Sequence, residues 1–185
     1  MAKHALLSAS SMHRILACPP SARLCANIED RASPYSQQGT DAHELCEYKI
    51  LRALGNPVHD PRDTLEFYDA EMENCTEEYQ NFVMEQLQEA KGYCPDPIIL
   101  VEQKLDFSKW VPDGFGTGDC LIVADKCLHI IDFKYGLGIL VDAERNPQMM
   151  CYALGALYIY DGIYDISSVK MTIFQPRRDN ISTCT

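Results

Sequence analysis

The 185-residue chain lacks most of the features that would settle its class at once. It holds nine cysteines but no Cys-x-x-Cys pair, which argues against a ribbon-type zinc site. No stretch approaches the ~18 consecutive apolar residues of a transmembrane helix. Lys3 is not followed by an apolar run, so no secretory signal is read. The cysteines are therefore expected as free thiols in a reducing, cytoplasmic compartment. No repeat or low-complexity tract appears. Basic residues are scarce: 16 Lys and Arg against 27 Asp and Glu leave a net charge of −11. That balance weakens long-range attraction to a polyanion. Contact with nucleic acid then needs bound metal or a local basic patch. Lys104, Lys109, Arg145, Arg177 and Arg178 are the candidates, each equally readable as a scattered surface charge. The glycines around Gly116 and Gly118 are followed by neither a helix start nor Gly-Lys-Ser/Thr, which excludes a phosphate-binding loop. They read instead as freeing the backbone near Asp119.

What is present is organised around one hairpin. Thr117 to Ala124 and Cys127 to Tyr135 are short, apolar and rich in Ile, Leu and Val, the pattern of two strands. Only Asp125 and Lys126 separate them, and a two-residue loop fixes the register. Ala124 then pairs with Cys127 and Val123 with Leu128. Counting on, Asp119 falls opposite Asp132, on one face, with Lys134 two residues further along it. Two carboxylates and an amine converge at one end of a greasy hairpin. Like charges so close repel, and burial raises the cost of ionisation. A hard divalent cation such as Mg²⁺ or Mn²⁺ reverses that balance. Read one at a time, Asp119 opens a strand after a glycine turn, and Asp132 and Lys134 make a solvated pair.

The remaining elements frame this hairpin. Ser8 to Ile28 reads as a short helix, a break at Pro19-Pro20 and a second short helix through Ala22 to Asn27. Ser33 to Gln38 reads as a polar loop. Thr40 to Leu54 is a helix on which His43 and Glu47 are i,i+4 neighbours. Gly55 to Pro61 is a connection in which His59 is exposed. Asp63 to Lys91 reads as a long acidic helix, with a second start available at Thr76. Ile98 to Phe107 is a strand carrying Glu102. Asn146-Pro147 opens a helix to Tyr160 on which Gln148 and Tyr152 share a face. Val169 to Phe174 is the last strand. The order predicts an α/β fold with a central mixed sheet flanked by helices, in one domain over residues 1–185. The chain stops at Thr185 without a capping helix, and a longer gene product, truncated here at its C-terminus, is expected.

Asp119 followed by Asp132-Phe133-Lys134 resembles the PD-(D/E)XK nuclease superfamily. Gly39-Thr40-Asp41-Ala42-His43 before the sheet and Gln148-Met149-Met150-Cys151-Tyr152 after it sharpen the likeness. They are similar to the Gly-x-x-x-His and Gln-x-x-x-Tyr helices of its RecB-type, lambda-type and CRISPR-associated exonucleases. The start Ser8-Ala9-Ser10 and the stretch Cys18-Pro19-Pro20-Ser21 look like a phage-encoded family of unknown function within that branch. The resemblance implies a restriction-endonuclease-like core and metal-dependent hydrolysis of DNA, exonucleolytic and of phage recombination or repair type, in the bacterial host cytoplasm. It implies Mg²⁺ or Mn²⁺ held by His43, Asp119 and Asp132, catalysis by Asp119, Asp132 and Lys134, and contact of Gln148 and Tyr152 with the phosphate backbone.

Further partners implied are a second copy or a phage recombination protein. Glu47 either orients His43, reaches the metal or faces solvent. Glu102 is either a further carboxylate of the metal site or a pleat-exposed residue. Iron–sulfur members of the branch pair a cysteine near position 18 with three near the C-terminus. Only Cys184 lies there, so no cluster is expected, and Cys18 is expected as a buried thiol. The rival reading is a non-catalytic DNA- or protein-binding module on the same scaffold.

Overall fold

The computed structural model describes residues 6–26, 28 and 33–185. Five helices, α1 (Met12–Ala17), α2 (Ser21–Cys25), α3 (Pro34–Ala53), α4 (Ala70–Lys91) and α5 (Pro147–Tyr160), accompany five strands. The strands are β1 (Ile98–Asp106), β2 (Phe115–Ala124), β3 (Lys126–Phe133), β4 (Ile166–Gln175) and β5 (Asn180–Cys184). They form one mixed sheet in sequence order. Every neighbouring pair is antiparallel except β3 and β4. That parallel pair is joined through α5, as a parallel connection requires a crossover. Helices cover both faces, the α/β architecture that the order of elements predicts.

The sheet separates two cores. Cys120, Ile122, Ala124, Ile131 and Phe133 pack with Leu45 and Ile50 of α3 and with Tyr79, Val83 and Leu87 of α4. Leu121, Val123, Leu128 and Ile130 pack with Met149, Tyr152 and Ala156 of α5 and with Ala9 and Met12. The alternation is what a strand pair buried on both faces demands. The turn gives the expected register, with Ala124 opposite Cys127 and Val123 opposite Leu128. Lys126 takes the left-handed conformation that a two-residue hairpin needs (φ 72°).

Several boundaries differ from expectation. The helix expected from Thr40 begins at Pro34, because Ser33 and Ser36 form a reciprocal capping box and Pro34 occupies the first turn, where its missing N–H costs nothing. The acidic helix begins at Ala70, seven residues later than Asp63. Asp69 caps it by accepting from the Met72 amide at 2.7 Å. It runs through Thr76, whose hydroxyl donates back to the Met72 carbonyl at 2.8 Å instead of starting a new helix. Strand β5 was not anticipated; its five residues pair with β4 after a turn that holds Asp179 in the left-handed region. Cys18 is exposed, not buried. It ends α1 immediately before Pro19, where the chain turns outward. The second short helix is Ser21–Cys25, and Asn27, its expected end, lies outside the described residues. No helix among the described residues is long and apolar enough to cross a membrane.

Helix α5 and the start of the chain close onto β2 at Gly116. A Cβ there would lie 2.9 Å from both Ala9 Cβ and Tyr152 Cε1, closer than packed carbons tolerate. Gly116→Ala is expected to cost about 1–3 kcal/mol of overpacking strain, read as a lower urea midpoint. An unchanged midpoint would show that Tyr152 is not seated against this strand.

Candidate metal and phosphoryl-transfer site

The hairpin does not stay zipped to its end. The β2–β3 pairing stops at Cys120 opposite Ile131, and the expected direct pairing of Asp119 with Asp132 is absent. Asp119 uses its side chain instead: Oδ2 accepts the Phe133 N–H at 2.7 Å. β3 continues against β4 alone, through Phe133 opposite Phe174 and a 2.8 Å bond from the Lys134 amide to the Phe174 carbonyl.

A second distortion lies across from the first. Glu102 takes the left-handed conformation (φ 49°) inside β1, and the β1–β2 pairing skips Glu102 and Asp119 while keeping one register on either side. Alternation inverts there on both strands. Ile99 and Val101 face the α3–α4 core, yet Leu105 faces the α5 core. Cys120 faces α3–α4, while a Cβ on Gly118 would meet Leu121, Leu105 and Tyr152 of the other side. Glu102 and Asp119 are thereby both turned toward His43 on α3. Left-handed backbone at a non-glycine residue is strained, and such strain concentrates at functional sites.

Two groups of side chains result. In the first, His43 Nδ1 lies 3.4 Å from Asp119 Oδ1 and 4.0 Å from Glu102 Oε1. The ligand atoms of His43, Glu102 and Asp119 all fall within 4.8 Å of one another. One imidazole nitrogen and two carboxylates suit a hard or borderline divalent cation. Phe133 holds the imidazole edge-on, with ring centroids 5.6 Å apart. In the second group, Lys134 Nζ is 2.9 Å from Asp132 Oδ2 and 3.3 Å from Gln148 Oε1. Gln148 Nε2 donates to Asp132 Oδ1 at 3.1 Å and to the Tyr152 hydroxyl at 3.0 Å. Asp132 is 1 % exposed. The Lys134 ammonium is the ion-pair partner of its Oδ2, and no other donor reaches that oxygen among the described residues. A buried carboxylate oxygen met only by an ammonium still has a lone pair to offer a cation.

The charges of the two groups act on one another. Burial opposes protonation of His43, but the Asp119 carboxylate, with Asp132 and Glu102, outweighs it and pushes the pKa up to about 9. Burial and the Asp119 charge push Glu102 up to about 7. Burial acts to raise Asp119, yet His43, Lys134 and the Phe133 N–H hold it below the usual range. Asp132 is raised, by burial first and then by Asp119 against the pull of Lys134. Burial disfavours the Lys134 ammonium, but Asp132 and Asp119 keep its pKa above the ordinary value.

A family model described as a protein of unknown function (DUF2800) matches residues 4–185. The chain belongs to that family. Its description assigns no activity, so the site is read from the residues themselves.

Of the residues singled out in the sequence, seven lie in the two groups: His43, Glu102 and Asp119, and Asp132, Lys134, Gln148 and Tyr152. Asp119 and Asp132 are not paired across the ladder, yet the Asp119 charge still acts on Asp132. Asp119 turns toward α3 and Asp132 toward α5, because the kinked β2 inverts its alternation at Asp119. Tyr152 is 4 % exposed and touches the group through Gln148, whose Nε2 donates to its hydroxyl. Glu47 is half-buried and makes no hydrogen bond to His43 among the described residues. Its charge contributes to the upward push on Glu102. Of the proposed basic contacts, Arg177 is tied to Glu71 at 2.9 Å, and Lys109 lies over the Trp110 and Tyr158 rings. The role of Phe133 in seating His43 was missed. Its only signal was an aromatic residue between Asp132 and Lys134.

Metal and protons compete for this site. A cation needs neutral His43 and ionised Glu102, so Mn²⁺ binding near neutral pH is expected to release one or more protons, and affinity is expected to rise with pH up to about 9. The sign for the metal-free protein is the opposite. His43 and Glu102 both bind protons more tightly folded than unfolded, so stability falls as pH rises from the unfolded Glu range through about 7 and on through about 9. Calorimetry in buffers of different ionisation enthalpy measures the first, and thermal melts across pH measure the second. Metal binding without proton release would place the ion away from His43.

Proposed function

We propose that the chain hydrolyses DNA phosphodiester bonds with Mg²⁺ or Mn²⁺, working from an end of the strand. The observation that supports this best is the juxtaposition of a three-residue donor set, His43–Glu102–Asp119, with the Asp132–Lys134–Gln148 network at the opened end of one hairpin. His43, Asp119 and Asp132 would hold the cation, with Glu102 as a further carboxylate. Bound there, it polarises a phosphoryl oxygen and lowers the pKa of a water.

The chain's own residues supply the rest. Lys134 stays an ammonium at neutral pH, because the carboxylates beside it hold its pKa up. It therefore offers N–H donors and positive charge to an attacking water and to the charge that develops on phosphate. It is not a free amine base. Gln148 fixes the lysine and Asp132 relative to one another, and Tyr152 fixes Gln148. No side-chain nucleophile is required, and the thiols of Cys46 and Cys120, buried near Asp119, are pushed up and stay protonated.

The roles separate by substitution. Asp119→Asn with Asp132→Asn is expected to abolish the Mn²⁺-induced rise in melting temperature together with cleavage. Lys134→Met keeps the stem and deletes the charge; it is expected to retain the thermal shift and lose turnover by roughly a hundredfold or more. Near wild-type cleavage by Lys134→Met would remove the lysine from the chemistry. Linear DNA is expected to be degraded faster than covalently closed circles, and equal rates would leave nuclease chemistry without end preference.

A further inference from the structure

The segment between β3 and α5 leaves the site directly from Lys134 and returns to it at Gln148. It carries Leu137, Ile139 and Leu140, which are 53 %, 88 % and 54 % exposed. Three large aliphatic side chains facing water within four residues are unfavourable by the burial they forgo. The loop is nevertheless held in that position by polar side chains, one buried and two half-buried. Gln175, 2 % exposed, donates from Nε2 to the Gly136 and Ile139 carbonyls, each at 3.2 Å, and accepts the Val141 N–H at 3.2 Å. Asn180 donates to the Val141 carbonyl at 3.1 Å, and Ser182 accepts the Ala143 N–H at 2.9 Å. β5, which contributes Asn180 and Ser182, thus acts as a brace for this loop. Leu137 is three residues from Lys134, so their Cα atoms are within ~10 Å.

We propose that Leu137, Ile139 and Leu140 form a contact surface for unpaired nucleobases of the DNA strand that enters the site. This deepens the nuclease reading and rests on it. Two features favour bases as the occupant. The loop is continuous at both ends with the residues that would handle the scissile phosphate, so a strand lying across Lys134 brings its neighbouring bases to this loop. In addition, the protein is acidic overall, with exposed Arg178, which donates to the Leu137 carbonyl at 3.5 Å, as a cation at the loop itself. Its net charge is −11, and Arg177 is already paired with Glu71. Affinity for DNA must then come in good part from contacts that do not depend on phosphate charge. Apolar side chains packed on or between bases supply such contacts, at the cost of unstacking that an already unpaired strand does not incur.

The test uses the full chain and a triple variant, Leu137→Ser, Ile139→Ser, Leu140→Ser, whose substitutions lie at exposed positions and whose melting temperature is checked against wild type. Duplexes carry a single-stranded overhang that is either normal or abasic, the abasic form keeping the phosphates and lacking the bases. Binding is measured with Ca²⁺ in place of Mn²⁺. Wild type is expected to bind the normal overhang about tenfold more tightly than the abasic one, and the triple variant is expected to lose that difference. Turnover of a small chromogenic phosphodiester with Mn²⁺, which offers no nucleobase to the loop, is expected to be equal in both proteins. Equal wild-type affinity for the two overhangs, or full base preference in the triple variant, overturns the proposal. So does a wild-type dimer in sedimentation that the triple variant dissolves, which would make the loop a self-association surface. Failure of wild type to turn over any phosphodiester would overturn the nuclease reading by itself, while the binding comparison still reads the loop.

Discussion

Everything at the site depends on one hydrogen bond, from the Phe133 amide to Asp119 Oδ2 at 2.7 Å. In an ordinary hairpin that amide would face a backbone carbonyl across the ladder. Here a side chain takes its place, and the two strands part while the Phe133 amide keeps a partner. The parting lets Asp119 swing toward α3 and leaves Asp132 facing α5. A single sheet end then presents acids to a histidine on one side and to a lysine and glutamine on the other. Both cores are closed by bulky residues up to this point, Phe133 among them, so the opening is confined to the last residues of the hairpin.

The electrostatics follow from that geometry. Five titratable side chains, His43, Glu102, Asp119, Asp132 and Lys134, are pressed together and shift one another's proton affinity. Against the effect of burial, nearby carboxylates raise the proton affinity of His43; burial and Asp119 raise that of Glu102; and Lys134 pairs with Asp132. The strained backbone at Glu102 belongs to the same account. A relaxed strand would leave that residue on the register its neighbours keep, with its carboxylate directed away from His43.

Much of this was legible in the sequence, and the reasons are local. The two-residue turn at Asp125-Lys126 fixed the register of the hairpin. The i,i+4 spacings placed His43 on one helix and Gln148 beside Tyr152 on another. Short apolar runs rich in Ile, Leu and Val identified the hairpin strands. What escaped the sequence depends on long-range or side-chain geometry. A count along an ideal ladder puts Asp119 opposite Asp132 because nothing in the residue string says that Asp119 will accept the Phe133 amide. The inversion at Glu102 is equally silent, since a left-handed glutamate leaves no compositional trace. Strand β5 was too short and too polar to stand out, and its significance lies in Asn180 and Ser182, which meet a loop some forty residues earlier. The burial of Tyr152 followed from packing against Gly116 and not from its helical spacing.

The central claim is that His43, Glu102, Asp119 and Asp132 together make one cation site at the open end of the β2–β3 hairpin. Anomalous scattering from crystals soaked in Mn²⁺ tests it most directly. The account predicts a manganese peak bounded by His43 Nδ1 and by carboxylate oxygens of Asp119 and Asp132, with the Lys134 ammonium beside it and not in contact with the ion. A peak elsewhere on the molecule, or none at saturating Mn²⁺ with the four side chains ordered, would contradict it.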